Sequence, residues 1–230
     1  EGSLTLSNNG YMGAANTYLG TYSGANGTLV IDSGGWLDGK DGLIGHGSGA
    51  TATATVSGAG SKWTSSGNLY VGDNGAGTLV VEKGGYVSSI NGKVGRSTPV
   101  ASIATVTGVG SKWEAANEFT IGDKAKLVIS DHGFVSADRM AVGYWTGQNG
   151  TLEIQGGASL STREGTIGDY DGTSSGTVTV TGAVSRRSPA CARSRTTTCR
   201  ICACRAGRCT AVSVKVPRSA RPSIQAAAAL

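Results

Sequence analysis

The sequence predicts an all-β chain wound into a β-solenoid of about seven coils, and three observations lead there. First, a hydrophobic residue followed by glycine recurs at Leu19-Gly20, Ile44-Gly45, Val71-Gly72, Val94-Gly95, Ile121-Gly122, Val142-Gly143 and Ile167-Gly168. The gaps between these glycines are 25, 27, 23, 27, 21 and 25 residues. Self-similarity at that period means stacked units, each burying its apolar face only against its neighbours. Second, the segments between the glycines are short and alternating, as in Thr78-Leu-Val-Val81 and Ala54-Thr-Val-Ser57, and are rich in β-branched residues. Third, Gly, Asn, Asp and Ser punctuate every run, and no window carries apolar residues at helical spacing.

Taken in order, each unit reads as three short strands and three corners. One unit type is Leu69-Tyr-Val-Gly-Asp-Asn-Gly-Ala-Gly-Thr-Leu-Val-Val-Glu-Lys-Gly-Gly-Tyr-Val-Ser89, whose centre recurs near residues 27–31, 126–129 and 150–154. The other carries Ala54-Thr-Val-Ser-Gly-Ala-Gly-Ser-Lys-Trp63, repeated fifty residues later as Ala104-Thr-Val-Thr-Gly-Val-Gly-Ser-Lys-Trp113. The super-repeat is therefore a pair of coils. A propeller blade needs about 40 residues or more. The fifty-residue period alone would suit a blade, but the regular half-period of about twenty-five favours the solenoid. Stacked at about 4.8 Å, seven coils make a rod of roughly 30–35 Å. Thirteen aromatics in 230 residues are expected to suit a narrow core with little room for large rings.

Stacking turns equivalent positions into columns. The residues after the recurring glycine form one column, Thr21, His46, Asp73, Arg96, Asp123, Tyr144 and Asp169. It is expected to be a solvated ladder of alternating charge, worth little energetically. Trp36, Tyr86 and Phe134 share a second column at every other coil, and Trp63 and Trp113 a third. These five are the candidate binding residues, because aromatic rows on an elongated surface bind sugars or proteins. The competing role is to cover a neighbouring Gly-Gly corner.

The pattern stops at Gly182-Ala183. Only Gly207 of the 38 glycines lies beyond it, together with all five cysteines and nine of the twelve arginines. Residues 1–183 hold seven lysines and three arginines against fifteen acids, a net −5, and residues 184–230 hold nine arginines and Lys215 with no acid, a net +10. Two regions follow, a repeat domain over 1–183 and a basic, non-repeat tail over 184–230 that is expected to be unstructured. After Thr177-Val-Thr-Val-Thr-Gly-Ala183 the pattern requires Gly-Ser-Lys-Trp, and the chain gives Val184-Ser-Arg-Arg187. That abrupt change to Arg, Ser, Ala and Cys is expected of frameshifted translation.

Recognisable chemistry is sparse. The repeat region holds His46 and His132, no cysteine, and no nucleophile elbow, phosphate loop or zinc-binding helix. The acid pairs Asp169/Asp171 and Asp38/Asp41 sit in corners, where Asp is expected anyway. The cysteines 199, 202, 204 and 209 have some ligand-like spacing but no histidine beside them. The expectation is no enzyme activity, no metal, no cofactor and no nucleic-acid partner.

The segments Tyr70-Val-Gly-Asp-Asn-Gly-Ala-Gly-Thr-Leu-Val-Val81 and Thr55-Val-Ser-Gly-Ala-Gly-Ser-Lys-Trp63 resemble the repeat shared by autotransporter (type V secretion) passenger domains and proteins with a PEP-CTERM sorting signal. The resemblance spans roughly residues 4–183. It implies a right-handed parallel β-helix, exported and displayed on or released from a Gram-negative surface as a structural or adhesive stalk. The implied partners are surface glycans or host and matrix proteins. The family supplies no catalytic residue. A β-helical carbohydrate-binding or carbohydrate-cleaving domain is the alternative. Glu1-Gly-Ser-Leu-Thr-Leu6 already reads as repeat, and no apolar span is present for direct membrane insertion. The chain is accordingly expected to be a fragment of a longer precursor that carries the export signal and C-terminal translocator, or a truncated product. Resequencing the locus checks the tail: a frame correction near codon 184 should restore another Gly-Ser-Lys-Trp unit, and failure to do so refutes the frameshift.

Overall fold

A computed structural model describes residues 1–96, 100–143, 148–168, 174–181, 198–205 and 208–215, the last two segments as backbone only. Among them there is no helix. The first coil is β1 (Gly2–Leu6) and β2 (Tyr11–Leu19), the second β3 (Asn26–Ile31) and β4 (Trp36–Ile44). Three coils of three strands follow. They are β5 (Thr51–Ser57), β6 (Lys62–Ser65) and β7 (Asn68–Val71); β8 (Ala76–Glu82), β9 (Tyr86–Ser89) and β10 (Asn91–Val94); and β11 (Ser102–Thr107), β12 (Lys112–Ala115) and β13 (Glu118–Ile121). The sixth coil is β14 (Ala125–Ser130) and β15 (Phe134–Val142), the seventh β16 (Asn149–Ile154) and β17 (Ser159–Ile167), and β18 (Ser175–Val180) begins an eighth.

Every pairing between coils is parallel. The first strands form one eight-stranded sheet, β1-β3-β5-β8-β11-β14-β16-β18. The remaining strands form the opposite wall. There, β4 pairs along one half with β6 and along the other with β7, and β15 likewise closes over β12 and β13. The expected three strands per coil therefore hold only for the middle three coils. In the outer coils one nine-residue strand spans both halves. The hydrophobic-Gly column forms as the sequence predicts: Leu19 pairs with Ile44, then Val71, Val94, Ile121, Val142 and Ile167.

The core runs the length of the rod, through residues such as Leu29, Ile31, Leu79, Val81, Leu127 and Ile129, all fully buried. It is not short of room for large rings, as composition suggested. Trp63 and Trp113 are its largest fully buried side chains, 1% and 0% exposed. The room comes from the coil before each. A Cβ on Gly42 would lie 2.6 Å from the Trp63 ring, and one on Gly92 would lie 2.8 Å from the Phe119 ring and 3.2 Å from Trp113. Within the Trp column, Leu37, Trp63, Val87, Trp113 and Val135 succeed one another, so Trp alternates with a smaller aliphatic residue. That alternation of large and small side chains in a close-packed interior produces the fifty-residue super-period.

The Gly-Ser-Lys-Trp motif is thereby explained residue by residue. Gly60 and Gly110 turn the corner at φ 88° and 85°, where other residues are strained. Ser61 and Ser111 are buried, and their Oγ atoms accept the backbone N–H of Gly34 and Gly84 in the preceding coil at 3.1 and 3.0 Å. Lys62 and Lys112 point outward, and Trp63 and Trp113 fill the core. The Trp113 indole N–H donates to Ser89 Oγ at 3.2 Å. Ser65, at the corresponding end of β6, is buried with its Oγ unpaired, because the next coil carries Val87 in place of Trp.

Among the described residues the last strand of the repeat is β18. Beyond it, the backbone strands β19 (Thr198–Arg205) and β20 (Arg208–Lys215) form an antiparallel hairpin, and β20 joins β17 over two residue pairs. The tail cysteines at 199, 202, 204 and 209 lie on its strands, and Cys191 lies outside the described residues.

Volume exchange between coils is testable. Gly92→Leu should destabilise the chain by about 1–3 kcal/mol through overpacking, and Trp113→Val should destabilise it through a cavity. The double variant should lose less than the sum of the two in urea unfolding. Strict additivity would show that the two sites do not exchange volume.

Candidate functional site

The sequence nominates five aromatic residues, and the pleat divides them. Successive strand residues point to opposite faces, so Lys62-Trp63 and Lys112-Trp113 send lysine out and tryptophan in. Trp63 and Trp113 are therefore core residues, and their candidacy as surface binding residues is corrected. Trp36, Tyr86 and Phe134 remain outside, Trp36 at 41% exposure and the other two half-buried.

These three belong to one outward row. Tyr11, Trp36, Lys62, Tyr86, Lys112 and Phe134 are successive register partners through six coils. The sequence reading missed the interleaving lysines, although the repeated Ser-Lys-Trp placed them one residue from Trp. Beside the row, two residues further along each strand, runs a polar column of Asp38, Thr64, Ser88, Glu114 and Ser136.

The two columns are bonded together in a repeating way. Trp36 Nε1 donates to Thr64 Oγ1 in the next coil at 3.0 Å, and Thr64 Oγ1 donates to Asp38 Oδ1 at 2.5 Å. Fifty residues on, the Tyr86 hydroxyl donates to Glu114 Oε2 at 2.9 Å. Each ring is thus drawn along the sheet toward the following coil. Tyr11 meets Trp36 edge-on, with centroids 5.0 Å apart, and Lys62 Nζ lies 5.9 Å from the Trp36 ring centroid. Burial, then the hydrogen bond to the Glu114 carboxylate and its charge, push the Tyr86 phenol above its ordinary pKa, with a hydrogen bond from Ser88 opposing.

The second candidate is the charged column. His46, Asp73 and Arg96 do meet, but Asp73 is 1% exposed and the column is no solvated ladder there. Asp73 Oδ2 bonds His46 Nδ1 at 2.8 Å and accepts from Asn74 Nδ2 at 3.0 Å, and its Oδ1 accepts from Arg96 at 2.7 Å. A buried carboxylate is costly unless paired and hydrogen-bonded, and this one has three partners from three corner residues. Asp73 in turn holds the Arg96 guanidinium charged more firmly than usual. Arg96 also lies over the Tyr70 ring at 4.9 Å, and Tyr18 packs against His46 at 4.9 Å. The cluster locks three consecutive coils at one corner. Further along, Asp123 accepts the Asn149 N–H, while Tyr144 and Asp169 lie outside the described residues.

Asp38 and Asp41 do not converge. Asp38 bonds Thr64 on the first face, whereas Asp41 accepts the Asn68 backbone and side-chain N–H groups at the third corner. Asp169 and Asp171 lie outside the described residues. Among the described residues no three His, Cys, Asp or Glu side chains are grouped to hold a metal ion. Asp41 instead starts a ladder that the sequence reading missed. Asn91 donates to Asn68 at 2.9 Å, Asn117 to Asn91 at 3.0 Å, and Arg139 to Asn117 at 3.2 Å. The signal was present as asparagine recurring one or two residues before an inward position of consecutive coils.

No family model, curated protein or solved structure matches the chain.

The tie between Tyr86 and Glu114 has a pH signature. A phenol whose folded pKa lies above its unfolded value contributes stability that is complete below the unfolded pKa and is lost as pH rises through the folded pKa. Absorbance titration should show Tyr86 ionising later than a free tyrosine, and Glu114→Gln should bring it partly back. An unmoved titration in that variant would disprove the coupling.

Proposed function

We propose that this chain is a stalk segment of an exported bacterial surface protein, adhesive through its side faces and without catalysis of its own. The observation that carries the proposal is the uninterrupted stacking of seven coils whose recurring glycines stay 21 to 27 residues apart. Each added coil lengthens the rod by about 4.8 Å and leaves its width unchanged, which is the economy a spacer requires. The inter-coil bonds at Asp73 and along the Asp41-to-Arg139 ladder fasten neighbouring coils at two corners.

The resemblance of Tyr70–Val81 and Thr55–Trp63 to autotransporter and PEP-CTERM-associated repeats supports export and display. The absence of cysteine from residues 1–183 is compatible with export. The carbohydrate-binding alternative is favoured by one observation, the outward aromatic row, and is compatible with a stalk.

In the organism that encodes the chain, antibody raised against residues 1–181 should label intact cells. Labelling that appears only after the cells are lysed would refute display.

A further inference from the structure

The Trp36 row has features that a spacer does not need. From Trp36 on, its aromatic residues recur at every second coil with a lysine in each coil between, and Tyr11 precedes Trp36 in the adjacent coil, its ring edge-on at 5.0 Å. The ring-to-neighbour bond is repeated as well: Trp36 with Thr64 and Tyr86 with Glu114, the same pair of positions two coils apart. These bonds tie two of the rings to the coil that follows, and Trp36 keeps 41% of its surface exposed. Flat rings of this kind serve as stacking platforms, unlike aromatic residues that insert into a partner.

The geometry selects a linear ligand. The row runs along the solenoid axis, across the strands. Its aromatic repeat is two coils, about 9.6 Å. That length is close to one disaccharide of an extended β-1,4-linked chain, in which each sugar is flipped relative to the last and every second ring has the same orientation. A platform at every second coil thus meets equivalent sugars. The coils between offer Lys62 and Lys112 as donors, and the adjoining column offers the Asp38 and Glu114 carboxylates and the hydroxyls of Thr64, Ser88 and Ser136. Sugar hydroxyls can both accept from the former and donate to the latter.

Charge decides among linear polymers. Two lysines and two carboxylates cancel on this face, so it has no net attraction for a phosphate backbone or a polyuronate. We infer that the Trp36–Tyr86–Phe134 row binds one uncharged β-1,4-linked polysaccharide chain laid along the rod, each ring stacking on alternate sugars. This rests on the adhesive-stalk reading and names the ligand class of its side face.

Calorimetry of the full chain with cellohexaose and with chitohexaose tests the inference and separates the glucose from the N-acetylglucosamine version. One of the two should bind. Trp36→Ala should weaken it by about tenfold, as expected for a central aromatic contact, and Trp36→Ala with Tyr86→Ala should abolish it. Trp36→Phe should retain most of the affinity. The variants should keep the parent's far-ultraviolet circular dichroism spectrum, because the row is outside the core. Binding by neither sugar, undiminished binding by the double variant, or binding only of an oligouronate such as alginate hexamer would overturn the inference. Any of these would leave intact-cell labelling unaffected, so the stalk reading stands or falls separately.

Discussion

Everything in this structure depends on one constraint: a coil can bury its inward side chains only against the coils before and after it. The parallel backbone ladder fixes the spacing, so no coil can back away from a bulky neighbour. Volume must therefore balance between neighbouring coils. Trp63 exists because residue 42 is glycine, and Trp113 because residue 92 is glycine. The fifty-residue super-period follows, since a large residue in one coil requires a small one in the next. Leu37, Val87 and Val135 alternate with the two tryptophans for the same reason.

The same constraint governs polar groups. Every corner brings backbone N–H and C=O groups close to those of the next coil, and each must be satisfied. Ser61 and Ser111 meet this need from inside, accepting the N–H of a glycine one coil back. Asp41 and Asn91 meet it at the third corner, accepting the backbone N–H of Asn68 and Glu118, while Asp73 ties the His46 and Arg96 side chains at the charged corner. These bonds link residues more than twenty positions apart, and together they bind the coils into one rod. The outward side chains, Trp36 and Lys62 among them, lie outside this inner accounting.

Much of this was legible in the sequence because the fold is periodic. The Leu19-to-Ile167 column carries the register of six coil pairs in its spacing alone. Gly-Ser-Lys-Trp marks the super-repeat. The candidate site was half legible. Trp36, Tyr86 and Phe134 could be placed in one column, but Trp63 and Trp113 were given to the surface when they belong to the core. A count of aromatics does not tell which side of a pleat each occupies. The burial of Asp73 was also invisible, because an acid in a corner reads the same whether solvent or a neighbouring histidine and arginine faces it.

The sequence by itself determined the solenoid, its period and the residues that stack, since each is a matter of spacing along the chain. Only the tertiary structure decided which residues face inward, which corner carboxylate is buried, and where the middle coils divide one long strand into two. A one-residue step reverses the face of a β side chain. Lys62 and Trp63 are neighbours in sequence, yet one belongs to the outward row and the other to the core. Which is which depends on the register each strand makes with the coil behind it, and that register exists only once the coils are stacked.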